Sequence, residues 1–264
     1  GEDMEKRMFA LLGIGCMHIA FLPGYGTKEK SYPEEKTEYR NVEKLKTGDS
    51  SGPGEQEEKK ILDVPLIWQN PELKYGCEVT SLAMVLRYAG IKADKTALAK
   101  QIKKDSDPLK KTKSGDIVSW GDPEDGFVGD VSGKKPGYAV YDREIAALLD
   151  RYMPHRAYNL TGAPFEKVLQ QVEDGRPVVV WTTGDYRLPD RWEKWQHKDE
   201  VVKTPLDLHA VVLVGYDAGH VYIINDPLSG KKPHKVIKSN LPLHGMHWEK
   251  GRSPICREKF HIFD

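Results

Sequence analysis

Apolar and polar positions divide the 264-residue chain into three stretches. An apolar run from Met8 to Leu22 follows Lys6-Arg7 and ends before the small residues around Gly24 and Gly26. It is shorter than the about 20 residues a membrane span needs, and its basic flank and small-residue end predict a secretory leader over 1–26 rather than a short buried helix. Residues 27–60 are Lys, Glu, Ser, Gly and Pro with almost nothing to bury, which predicts a polar linker acting as tether or pro-segment. Periodic hydrophobicity begins at Ile61 and predicts one folded domain over 61–264, without internal repeats.

Within that domain Ile61–Gln69 reads as a short edge strand interrupted by Pro65. Val79, Leu82, Ala83 and Leu86 recur at i, i+3, i+4, i+7, and Gly90 closes the helix they predict. Further helices are expected over 95–102, 142–151 and 164–172, the last with Pro164 at its start, and Pro177–Thr183 reads as a buried strand. Leu206–Tyr216 and Val221–Pro227 are apolar runs around a Gly-containing turn, the pattern of a hairpin. Helices ahead of antiparallel strands define an α+β class. The basic, Gly- and Pro-punctuated segment 103–113 reads as a solvated loop.

Composition narrows the function. Forty basic side chains balance forty acidic ones, leaving no electrostatic reason to expect nucleic acid or an anionic membrane as partner. Three cysteines, Cys16, Cys77 and Cys256, exclude a disulfide framework. Cys16 lacks the Leu three residues upstream that lipid attachment favours, Gly13 standing there instead. In an exported chain Cys77 and Cys256 either pair or leave a free thiol. Cys256 falls on the polar face of a terminal strand pattern, so a bridge to a buried helix is not expected.

Cys77 stands at the first turn of the helix over 77–90, where free N–H groups and the helix dipole favour a thiolate, while Glu78 beside it works against one. Across the hairpin, a loop of two or four residues sets Asp226 opposite Val211. Val211 shares a face with His209 because strand side chains alternate, so Asp226 falls diagonal to His209. A His and a carboxylate so placed are a base and its orienting group; with Cys77 they form a constellation for nucleophilic catalysis.

Several motifs, taken in order, resemble the C39-like family of papain-fold cysteine peptidases over residues 61 to 260. They are Gln69, Tyr75–Gly90, Asp122–Asp130, Gly175–Trp181, His209–Asp217 and Asn225–Gly230. The resemblance implies a papain-like fold, its helical part carrying Cys77 and its C-terminal antiparallel sheet carrying His209 and Asp226. It further implies Cys77 as nucleophile, His209 as base, Asp226 as orienting carboxylate, and Gln69 with the Cys77 N–H as oxyanion donors. The implied partner is a peptide or protein substrate, with no metal or organic cofactor. Alternatives on the same site are an amidase, an acyl transferase or a non-catalytic surface binding module. The chain differs from the transporter-fused members, which cut leader peptides after paired glycines. No fused transporter is expected here, Glu78 follows the Cys, and with Gln69 eight residues before Cys77 that specificity is not expected to carry over. Together with the leader, this predicts a secreted or cell-surface enzyme.

Trp192 and Trp195, three apart in a polar insertion, are candidate substrate contacts at the cleft. Asp122–Gly126 resembles the start of a calcium loop, but Gly133 holds its twelfth position, so calcium is not expected there. His244 and His247 lack a third zinc ligand in a recognised pattern.

Overall fold

The computed structural model describes residues 59–187, 189–217, 221–230, 234–237 and 260–263. The expected leader (1–26), nearly all of the linker, Cys16, His244, His247 and Cys256 lie outside these residues. The chain begins with β1 (Lys60–Ile61), α1 (Cys77–Tyr88), α2 (Lys95–Gln101), β2 (Lys104–Asp105), β3 (Lys110–Lys111), β4 (Ile117–Ser119) and β5 (Phe127–Val128). There follow α3 (Asp142–Tyr152), β6 (Ala157–Asn159), α4 (Phe165–Glu173), β7 (Val178–Thr183), β8 (Trp192–His197) and β9 (Glu200–Pro205). The last elements are β10 (Leu208–Asp217), β11 (Val221–Asn225), β12 (His234–Ile237) and β13 (Phe260–Phe263). Helices and mainly antiparallel strands give the expected α+β class.

One antiparallel sheet, in the order β12-β11-β10-β7-β13-β6 with β1 on β10, supports the main core. All six residues of β7 are buried, which explains why Val178–Thr183 is an apolar run without alternation: both edges are paired and both faces covered. Helix α1 packs on β10 and β7 on one side and on α2 and α3 on the other, so everything from Cys77 to Leu86 is buried, including Glu78, Thr80 and Ser81. The apolar stripe at Val79, Leu82, Ala83 and Leu86 therefore understates how central this helix is. Helix α2 starts where Asp94 accepts from the backbone N–H groups of Thr96 and Ala97, both at 2.9 Å, a cap of the kind that contributes about 1 kcal/mol.

The strand expected over 61–69 reduces to Lys60–Ile61. Leu62 and Val64 are buried as alternation requires, and Leu62 N–H still reaches Val214 O at 2.8 Å, but Pro65 has no N–H with which to continue a ladder. Within 103–113, β2 and β3 replace part of the expected loop. A second layer, also not anticipated, orders β3-β4-β8-β9, with β2 and β5 as a short parallel pair. Its small core joins Trp120, Val128, Trp195 and Val202.

Candidate active site

The hairpin of β10 and β11 positions two functional side chains by an unexpected route. Asp217 pairs with Val221, so the turn holds an odd number of residues and taken alone would put Asp226 out of phase with Val211. A register shift between Leu213 and Gly215 inserts one extra residue into β10 and restores the phase, since Val212 pairs with Asn225. Asp226, one residue past β11, thus stands level with Val211. Gly215 is needed where this bulged strand meets β1: a side chain there would come within 2.2 Å of Lys60 O.

His209 Nε2 lies 2.8 Å from Asp226 Oδ1, and both side chains are buried. Asp226 also accepts from the Leu228 backbone N–H at 2.7 Å and from the Tyr186 hydroxyl at 2.5 Å. Burial acts to raise the Asp226 pKa, but the hydrogen bond and charge of His209, with the Tyr186 and Leu228 donors, outweigh it and hold the carboxyl well below its usual range. Asp226 is therefore ionised and holds Nε2, so Nδ1 is the ring nitrogen outside this contact.

Cys77 is a free, buried thiol at the first residue of α1, and it lies against the backbone amide of Ala210, the residue after His209. The Ser81 hydroxyl, one turn on, donates to Ala210 O at 3.2 Å, so α1 is fastened to β10 beside the histidine. Gly76 precedes the helix because a side chain there would come within 2.6 Å of Leu73 Cβ. Gly76 at the cap has no side chain with which to occupy the first-turn N–H groups.

The thiol itself differs from the sequence expectation. Burial, then the charge of Glu78, push its pKa well above the ordinary cysteine value. Both act against the helix dipole, which favours the thiolate. The thiol donates to Glu78 Oε2 at 3.3 Å, while Glu78 Oε1 accepts from Val140 N–H at 3.0 Å. Burial raises the Glu78 carboxyl to about 7, against the pull of that amide.

Gln69 is buried. Its Nε2 donates to Lys74 O at 2.8 Å and its backbone N–H to Pro227 O at 3.0 Å, tying it to the segments before Cys77 and after Asp226. The Lys74 carbonyl fixes which end of the amide is the donor, leaving the second Nε2 proton free of that bond. Lys95 Nζ holds Gln69 O at 3.0 Å and also binds Trp68 O.

Trp192 and Trp195 do not act as a pair. On β8, positions three apart point to opposite faces. Trp195 is 3 % exposed, packs on Trp120 and Tyr138 and donates its indole N–H to Gly121 O at 2.8 Å, a packing role rather than a substrate contact. Trp192 is half-buried under the Lys203 ammonium. The exposed aromatic next to the site is instead Trp68, 59 % exposed, with Leu228 also exposed across Gln69 and Pro227. Gly230 makes room for Trp68, since a side chain there would lie 2.3 Å from the indole. Tyr186 and Trp68 were absent from the sequence reading. Nothing in their spacing marks either one, because both reach the site from irregular segments.

Residues 61–250 match the Peptidase_C39 like family, and the chain belongs to it. It is 41% identical over 183 residues to the uncharacterized protein YvpB of Bacillus subtilis (strain 168), covering 69% of this chain and 70% of that protein. A crystal structure assigned to a C39-like peptidase from Bacillus anthracis shares the fold with a TM-score of 0.65 and 35% identity, covering 78% of this chain and 98% of that one.

Proposed function

We propose that the chain is a cysteine peptidase that hydrolyses peptide bonds of a peptide or protein substrate, with Cys77 as nucleophile, His209 as general base and acid, Asp226 as orienting carboxylate and Gln69 as oxyanion donor. The observation that carries this reading is the 2.8 Å His209–Asp226 contact on the strand whose next residue, Ala210, touches the Cys77 thiol. Family membership supports the class of chemistry.

In the reaction, the Cys77 proton passes to His209 Nδ1 and the sulfur attacks the scissile carbonyl carbon. Negative charge moves to the carbonyl oxygen, where the Cys77 backbone N–H and Gln69 Nε2 donate. His209 gives its proton to the leaving amine as the C–N bond breaks, leaving a thioester. Water, deprotonated by His209, then hydrolyses the thioester and restores the thiol. Asp226 stays ionised throughout and balances the imidazolium. The leader-like segment at 1–26 supports an exported enzyme acting at or beyond the cell surface.

Digestion of a mixed peptide library, read by mass spectrometry, tests the reading. Wild type should release new termini that Cys77→Ala and His209→Ala, both folded by circular dichroism, do not. Transfer of the acyl group to an added amine without hydrolysis would favour the acyl transferase, and binding without any product would favour the surface module.

A further inference from the structure

A second group of reactive side chains lies away from Cys77, in the layer built around β2, β5 and β8. His197, the last residue of β8, has a side chain 4% exposed, and its buried Nε2 has no hydrogen-bond partner. Yet that nitrogen is 3.0 Å from Asp105 Oδ2 and 3.2 Å from Asp107 Oδ2. A protonated ring forming ordinary ion pairs would point its N–H at one of these oxygens, and here neither carboxylate lies along that direction. Asp125 offers a third carboxylate: one ligand atom each from Asp105, Asp125 and His197 fall within 4.8 Å of one another. Asp122 faces the other ring nitrogen, its Oδ2 4.0 Å from Nδ1.

We propose that Asp105, Asp125 and His197 form a site for a divalent first-row transition cation, Zn²⁺ or Mn²⁺, with Asp107 at its edge. Adjacent ligands of an octahedral ion with bonds of about 2.1 Å stand about 3.0 Å apart, while a tetrahedral ion spreads them to about 3.4 Å. The 3.0 Å separation of His197 Nε2 from Asp105 Oδ2 agrees with the octahedral value. With the ring proton on Nδ1, Nε2 has a lone pair to offer a cation. One imidazole among carboxylates, without thiolate, suits zinc or manganese better than calcium or magnesium, whose ligands are oxygens.

The donors are positioned by the backbone, and they come from three separate stretches of chain. Asp105 Oδ1 accepts from Asp107 N–H at 2.9 Å and Oδ2 from Asp122 N–H at 3.1 Å, which orients the 105 carboxylate. Gly121 and Gly126 let the 121–126 turn close on Asp105; side chains there would come within 2.9 Å of its carboxyl carbon and 2.6 Å of its backbone nitrogen. Trp195, two residues before His197, anchors the end of β8 through Gly121 O. Arg143 and Lys198 lie 3.3 and 3.4 Å from the half-exposed Asp125 carboxylate and compete with the cation for that ligand alone. The bound ion would join the 105–107 and 122–125 segments to the β8–β9 hairpin, stabilising the folded chain on binding. This site is independent of the Cys77 chemistry.

Titration of the chelator-treated full chain with Zn²⁺ and with Mn²⁺ by isothermal calorimetry, with parallel thermal melts, tests the site. The expected result is one ion per chain, a rise in melting temperature, and affinity reduced about 100-fold or more in His197→Gln and in Asp125→Asn. Asp125 is half-exposed, so Asp125→Asn keeps the test valid if the buried histidine variant fails to fold. A His244→Ala/His247→Ala double variant should bind unchanged. Absence of one-to-one binding by either ion, binding of Ca²⁺ only, or affinity unaffected by Asp125→Asn overturns the proposal.

Discussion

The Cys77 thiol donates to the carboxylate of its own neighbour, Glu78, across 3.3 Å, and both groups are buried at the start of α1. The two ionisations oppose each other: a charged Glu78 raises the thiol, and burial in turn raises Glu78 to about 7. Thiolate formation is thus easiest when Glu78 is neutral. Glu78→Gln keeps the acceptor for Val140 N–H, removes the charge and offers an N–H to the sulfur. Iodoacetamide should then alkylate Cys77 about tenfold faster near pH 7.5 in this variant than in wild type. An equal or slower rate, followed by mass spectrometry of the Cys77 peptide, would exclude Glu78 as the group that restrains the thiol.

The same carboxyl makes stability depend on pH. Its folded pKa, about 7, exceeds the ordinary 4.5, so the folded state holds a proton that the unfolded chain gives up. The stability this confers is complete below about 4.5 and is lost as the pH rises through about 7, a change on the order of 3 kcal/mol. Urea denaturation at about pH 5 and pH 8 should show wild type losing stability between the two and Glu78→Gln losing distinctly less.

Asp226 works in the opposite sense. Its folded pKa lies well below the unfolded value, so the stability it contributes is present above the ordinary carboxyl range and is lost only as the pH falls through the depressed folded value. Asp226→Asn should fold at neutral pH yet lower kcat by about 10²- to 10⁴-fold, because the amide no longer balances the imidazolium or selects its tautomer. Tyr186→Phe removes one of three donors to the same carboxylate and should cost about 1–3 kcal/mol of stability with a smaller loss of kcat. Equal kcat losses in the two variants would mean that Tyr186 acts on more than the carboxylate.

Gln69 and its neighbour Trp68 should separate kinetically. Gln69→Ala should reduce kcat by about 10²-fold if its amide serves the oxyanion, whereas Trp68→Ala, which removes an exposed aromatic surface, should raise KM and leave kcat nearly unchanged. Steady-state kinetics on one cleaved peptide distinguishes these outcomes. A KM effect alone in Gln69→Ala removes it from the oxyanion hole.

Much of this arrangement was legible in residue order. Apolar spacing located α1, and strand alternation brought His209 towards Asp226. Their agreement with the structure rests on two irregularities that periodicity cannot report, an odd turn and a bulge that cancel in phase. Trp192 and Trp195 point apart because a spacing of three means one face on a helix and opposite faces on a strand. For the thiol, the helix dipole and the opposing Glu78 are visible in sequence, while the burial that also opposes a thiolate depends on the full packing around α1. The cluster at His197 was hidden because its donors come from three distant segments, and only the Asp122–Asp125 stretch carried any metal-like pattern.

If Cys77 is the nucleophile, it carries the acyl group. Incubation with a peptide p-nitrophenyl ester, acid quenching during turnover and intact-mass analysis measures this directly, with the adduct located by fragmentation. The expected result is one acyl group per chain on Cys77, absent in Cys77→Ala and persistent in Asp226→Asn, where deacylation slows. Ester turnover with no adduct on Cys77, or turnover undiminished in Cys77→Ala, would contradict it.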